Sequence, residues 1–171
     1  MDSCESLFLD YSARKLRQLS GRIEDCLVRL TEEQIWARGG ESENAVGNLV
    51  LHLSGNVREW IVAAVCGQPD VRQRDAEFAA RGGFAASALA EQLCGIVQEA
   101  ARAIETLAPD RLAERLTVQG FNVTVLEAIY HVVEHFSGHT GQIVYATKLL
   151  TGEDLGYYKY LQTTPHAEQT P

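Results

Sequence analysis

The chain lacks any Cys-x-x-Cys pair, any run of basic residues, any internal repeat, and any apolar stretch near the roughly 20 residues that cross a bilayer. Each absence narrows the function. Four cysteines, Cys4, Cys26, Cys66 and Cys94, stand far apart. A reduced protein with four free thiols is therefore expected, each packed as a small buried hydrophobe. A net charge of −8 and a pI near 5.1 oppose general affinity for nucleic acid or an anionic membrane. The first residues, Met-Asp-Ser-Cys-Glu-Ser, lack the basic segment and apolar core of a secretory leader. A cytoplasmic protein without nucleic-acid or membrane partners is the expectation.

What is present is a helical pattern. A chain of 171 residues, 46% hydrophobic and 22% charged, suits one compact domain with a real core. Over residues 6–30, Leu7, Tyr11, Leu16, Leu19, Ile23, Cys26, Leu27 and Leu30 recur at three- and four-residue steps and predict an amphipathic helix. Thr31-Glu-Glu-Gln is a capping box for a short turn. Residues 45–66 predict a second long helix, with Asn44 as its cap and Val46, Leu49, Val50, Leu53, Val57, Trp60, Ile61 and Ala64 facing inward. Gly67-Gln-Pro69 ends it. Residues 68–86 read as a polar, irregular crossover, long enough that the helices it joins need not be immediate neighbours.

Ser87 is placed to cap a third helix carrying Leu89, Leu93, Ile96, Val97, Ala100, Ile104 and Leu107, and Pro109 opens a short turn. Residues 116–124 are the one stretch that reads as strand, a hairpin turning near Gln119-Gly120. Thr124-Val-Leu-Glu127 is a second capping box. The fourth helix runs from there to about residue 150, with Leu126, Ile129, Val132, Val133, Phe136, Ile143, Val144 and Leu149 as its apolar positions, and Gly152 stops it. Four long helices with one crossover predict an all-α four-helix bundle over residues 1–152, followed by a polar, mobile tail over 153–171.

Three of the five histidines fall within His131-Val-Val-Glu-His135-Phe-Ser-Gly-His139. Residues four apart on an α-helix lie about 40° apart in rotation and about 6 Å apart along the axis. His131 with His135, or His135 with His139, could thus reach one metal ion at roughly 2.0–2.1 Å. Helical drift keeps all three from converging comfortably, so a second segment must supply a further ligand. His52, in Asn48-Leu-Val-Leu-His52-Leu-Ser-Gly-Asn56, is the best donor; His166, in the polar tail, is a poor one. Taken singly, His52 reads as a hydrogen-bonded helix residue, and one i,i+4 pair is a weak signal. Together the imidazoles lie beside apolar stripes, where unpartnered rings are costly to bury and a shared metal removes that cost.

These stretches carry a resemblance. Asn48 to Asn56, Arg74-Asp-Ala-Glu-Phe78 and His135-Phe-Ser-Gly-His139-Thr-Gly-Gln142-Ile143, in this order and with the hairpin before the last helix, resemble the DinB/YfiT-like metalloenzyme superfamily over about residues 5–150. The resemblance implies a four-helix bundle, often a homodimer, holding a divalent metal through His52, His135 and His139. His131 is outside the pattern and is expected to pack, or to line the pocket. The superfamily includes thiol S-transferases that use bacillithiol or mycothiol and a mycothiol-dependent maleylpyruvate isomerase. It therefore implies a small electrophilic substrate, with a low-molecular-weight thiol as cosubstrate.

Three neutral imidazoles would leave Zn²⁺ or Ni²⁺ with open positions, where water or a thiol becomes nucleophilic near neutral pH. Asn48, Asn56 and Gln142 are candidates to orient the ligands or the substrate, against the alternative of helix–helix hydrogen bonding. Glu59 and Glu134 are candidate bases, but solvated faces are the expectation for both. Protons should compete with the metal near the free histidine pKa of roughly 6.5. The competing reading is a metal- or ligand-binding stress-response dimer without turnover.

Overall fold

The structure is a computed structural model describing residues 3–163, 165 and 167. Helix α1 (Cys4–Arg29) starts at Ser3, whose hydroxyl accepts the Ser6 N–H at 3.2 Å. It buries Leu9, Ala13, Leu16, Leu19, Ile23, Cys26 and Leu27, each aliphatic contributing about 1.5–3 kcal/mol when fully buried. Leu7 and Tyr11 are exposed, so the inward stripe enters through Leu9 and Ala13 and corrects the expected one at this end. Helix α2 (Glu32–Trp36) carries the expected Thr31–Gln34 capping box. The Trp36 ring lies over Gly47, where a Cβ would approach it to 2.8 Å.

Helix α3 (Val46–Val57) is not capped by Asn44: Ala45 holds the cap position, and its N–H donates to Asn48 Oδ1 at 3.2 Å. The helix continues as a π-helical segment, Arg58–Val65, before Gly67 turns away at φ 72°. The wider turns break the 3.6-residue spacing. Val62 and Val65 are buried there, while Ala64, expected inward, is only partly so. The crossover is not irregular throughout, because Arg74–Ala79 forms a six-residue helix, α4, that packs on α3. Asp75 and Glu77 in its first turn complement the helix dipole.

Helix α5 (Ala86–Glu105) begins after Ala85, which puts Ser87 inside the first turn and not at the cap. Its expected core residues are all buried. A short 3₁₀ turn, Pro109–Ala113, leads to β1 (Arg115–Val118) and β2 (Phe121–Thr124), antiparallel with Arg115 opposite Thr124 and Val118 opposite Phe121. Gln119 and Gly120 both turn through positive φ, at 49° and 80°. Helix α6 (Val125–Thr151) opens on the Thr124–Glu127 capping box and closes at Gly152, φ 71°. Leu126 and Leu149 are exposed; Val125 and Ala128 take the inward positions at the start of the helix.

The long helices form a bundle-like core in which α1 packs against α5 and α6, and α3 does the same. The long connection therefore leaves α3 and α5 in direct contact, and lays α4 over α3. Among the described residues no helix is long and apolar enough to cross a membrane. The first part of the tail is docked on α1: Leu155 is buried, and Tyr157 Oη lies 3.0 Å from both the Arg22 carbonyl and the Asp25 carboxylate. His166 lies outside the described residues.

Candidate metal centre

His52 projects from the middle of α3, and His135 and His139 from consecutive turns of α6. Packing of α3 against α6 brings one ligand atom of each ring within 4.8 Å of the others. His52 Nε2 and His135 Nε2 are 2.9 Å apart, and the His139 ring centroid lies 5.2 Å from that of His52 and 4.5 Å from that of His135. The structure thus joins the His135–His139 pair with His52. His131 stays outside the group, its ring packed on Trp60 at 4.2 Å and stacked beside His135 at 5.4 Å.

The far nitrogens of two rings are held by acceptors. Glu77 Oε2 lies 3.2 Å from His52 Nδ1, and Gln142 Oε1 lies 2.7 Å from His139 Nδ1. His52 Nδ1 also lies 3.0 Å from Arg72 Nη2, so it sits between a carboxylate that accepts and a guanidinium that donates; in the tautomer that gives its proton to Glu77, the Nε2 lone pair turns toward the cluster. For His139, the Gln142 carbonyl oxygen accepts the Nδ1 proton and leaves the Nε2 lone pair facing inward. The His135 Nε2–H can donate into the His52 lone pair; a cation shared by the rings replaces that proton. Two lone pairs fixed inward by outer partners, with no thiolate in the group, suit a divalent ion of intermediate softness.

Glu77 was not singled out among the candidate residues, and it organises the surroundings. It is 9% exposed, and Arg72 grips it through Nε and Nη2, both at 2.8 Å. Arg72 Nη1 reaches Glu59 Oε2 at 2.6 Å, which corrects the placement of Glu59 on a solvated face; Glu134 is exposed as expected. Burial alone would raise the Glu77 pKa, but the bonds from Arg72 and His52 override it and hold the group below the usual carboxylate range. A Cβ at Gly55 would collide with Glu77 Oε1, so α3 accepts this ion pair only because Gly55 has no side chain. The one signal in the sequence was indirect, since Glu77 stands within Arg74-Asp-Ala-Glu-Phe78.

Asn48 does not face the cluster. Its amide donates to the Glu77 carbonyl at 2.8 Å and the Ala80 carbonyl at 3.0 Å, clamping α4 to α3. Asn56 is buried one turn beyond His52, with its Oδ1 unbonded among the described residues. Of the cysteines only Cys26 is buried; Cys4 and Cys66 are exposed and Cys94 is intermediate. Partial desolvation of the sulfur, aided by Glu99 and opposed by Arg111, raises the Cys66 thiol, and partial desolvation with Glu24 raises Cys94, so neither is primed as a thiolate.

Burial, reinforced by His139, His52, His131 and Arg72, pushes the His135 pKa down to about 4, and burial also lowers His139. A depressed histidine pKa means that the unfolded chain binds more protons between about 4 and the free value of roughly 6.5. Metal-free protein should therefore lose stability as pH falls through that window. Metal should be retained at pH 6 and released toward pH 4, which chelator competition across a pH series will read. Release centred on pH 6.5, as for free histidine, would contradict these environments.

A crystal structure of a conserved protein from Enterococcus faecalis is similar in fold, with a TM-score of 0.72 at 16% identity, over 84% of this chain and 96% of that one. No curated protein matches the sequence. Residues 3–163 match the family described as "Protein of unknown function (DUF1572)", and the chain belongs to that family.

Proposed function

We propose that the chain is a divalent-metal-dependent enzyme of the DinB-like type, a four-helix bundle over residues 1–152 that works as a cytoplasmic homodimer. His52, His135 and His139 hold one Zn²⁺ or Ni²⁺. The observation that carries this reading is the convergence of three imidazoles from α3 and α6, two of them with their outer nitrogens engaged by Glu77 and Gln142. A divalent ion there supplies Lewis acidity, which makes water or a low-molecular-weight thiol nucleophilic near neutral pH.

The chain's own residues do the rest. Glu77 and Gln142 hold His52 and His139 in the tautomer that presents Nε2, and α4, clamped by Asn48, keeps Glu77 in place. Asn56, on the same side of α3 as His52, offers a buried amide for orienting a small electrophilic substrate. Catalysis does not run through cysteine. Replacing Cys4, Cys26, Cys66 or Cys94 singly by serine or alanine should leave turnover intact wherever the fold survives.

The assay presents a small electrophile with bacillithiol, mycothiol, glutathione or water as acceptor. Chelation should abolish turnover, and readded Zn²⁺ or Ni²⁺ should restore it. Activity that survives metal removal and disappears with one cysteine would overturn the mechanism. Metal bound at one ion per chain with no turnover across the panel would favour the non-catalytic binding dimer.

A further inference from the structure

A line of polar side chains runs from the hairpin to the histidines. Gln119 Nε2 donates to Glu59 Oε2 at 2.7 Å, Glu59 Oε2 accepts from Arg72 Nη1 at 2.6 Å, and Arg72 binds both oxygens of Glu77; Glu77 Oε2 and Arg72 Nη2 both lie against His52 Nδ1, at 3.2 and 3.0 Å. Four separate parts of the chain contribute: the turn between β1 and β2, the π-helical segment, the crossover with α4, and α3. The Arg72 side chain is 4% exposed, so its N–H groups depend on these carboxylates more than on water.

The turn itself shows a second, independent oddity. Two successive positive φ angles call for Asn, Asp or Gly at the first position, yet the residue there is Gln119 at φ 49°. Glutamine gains nothing locally from this backbone conformation. Its longer side chain does reach Glu59. A residue that is poor for the turn but bonded to a buried charge network points to a role outside the turn.

We propose that Gln119 and Glu59 are positioning residues for the metal centre, acting through Arg72 and Glu77 on His52. The inference rests on the metal reading above. Gln119 fixes Glu59, and Glu59 occupies the outer face of the Arg72 guanidinium. With Glu59 removed, Arg72, whose Nη2 already lies 3.0 Å from His52 Nδ1, turns its whole charge on Glu77 and draws that carboxylate from His52. The carboxylate then becomes a weaker acceptor, and His52 a weaker and less firmly oriented donor.

The test measures Zn²⁺ affinity by competition with a chelating indicator, and thermal unfolding of the metal-free full chain. Gln119→Asn suits the turn better but is too short to reach Glu59. It should leave the unfolding temperature unchanged or higher while weakening Zn²⁺ binding about three- to tenfold. Glu59→Gln should weaken binding by a similar factor, and Glu114→Gln, in a surface pair with Arg111, should leave it unchanged. A fall in stability and affinity together for Gln119→Asn would mark the contact as merely structural and overturn the proposal. Parent-like affinity in both variants, with binding still lost in His135→Ala, would overturn this inference and leave the metal site standing. Full binding in His135→Ala as well would remove the metal reading itself.

Discussion

Replacing His52, His135 or His139 by alanine should each strip most of the metal from the purified chain, whereas His131→Ala should keep it. Three donors that converge within 4.8 Å can share one ion, and two imidazoles hold a divalent metal far more weakly than three. His131 lies one turn before His135 but spends its ring on Trp60, so its loss removes packing and no donor. The measurement is metal content per chain after dialysis, on protein made without an affinity tag. Full occupancy in all three single variants would refute the assignment. A loss in His131→Ala with metal retained in His139→Ala would move the ligand set one turn along α6.

The second large effect belongs to Glu77. Glu77→Ala removes the acceptor of His52 Nδ1–H and leaves the Arg72 guanidinium short of its bidentate partner. Removing one partner of a buried ion pair costs up to about 3–5 kcal/mol when the remaining charge is left alone; Arg72 keeps Glu59, so the loss should fall below that limit. Loss of a partner behind a metal ligand costs about 10–100-fold in metal affinity. Both should appear, the first in denaturant unfolding of metal-free protein and the second in chelator competition. Glu77→Gln keeps the shape and an acceptor oxygen, and should recover much of the stability but less of the affinity. Equal recovery of both would reduce Glu77 to a structural residue.

How much of this was legible in the sequence depended on the range of the interaction. The two capping boxes, the Gln119-Gly120 turn and the Gly152 stop are set by residues three or four apart, and they stand where the local rules place them. The histidines could be paired because i,i+4 geometry is local, and because His52 lies beside an apolar stripe. Asn44 and Ser87 failed as caps because the backbone enters each helix elsewhere: α3 one residue later, with Asn48 reaching back, and α5 two residues before Ser87.

The harder residues were those defined by tertiary charge pairing. Arg72 and Glu77 stand in a stretch rich in charge and poor in periodicity, which reads as solvated crossover. Only packing of α4 over Gly55 buries them. Glu59 stands seven residues after His52, on the same side of its helix, and what covers it is Arg72 from the crossover, which helical period alone does not show. Leu7, Leu126 and Leu149 show the opposite error, apolar residues outside the core that a hydrophobicity count places within it.

The central claim is that three imidazoles hold one ion and leave it open. X-ray absorption at the metal edge, on Zn²⁺- or Ni²⁺-loaded protein without a tag, tests it most directly. Three imidazole nitrogens at roughly 2.0–2.1 Å, with one or more exchangeable oxygen ligands, are the expected result. A sulfur neighbour near about 2.3 Å, or a shell without the multiple scattering of imidazole, would contradict it.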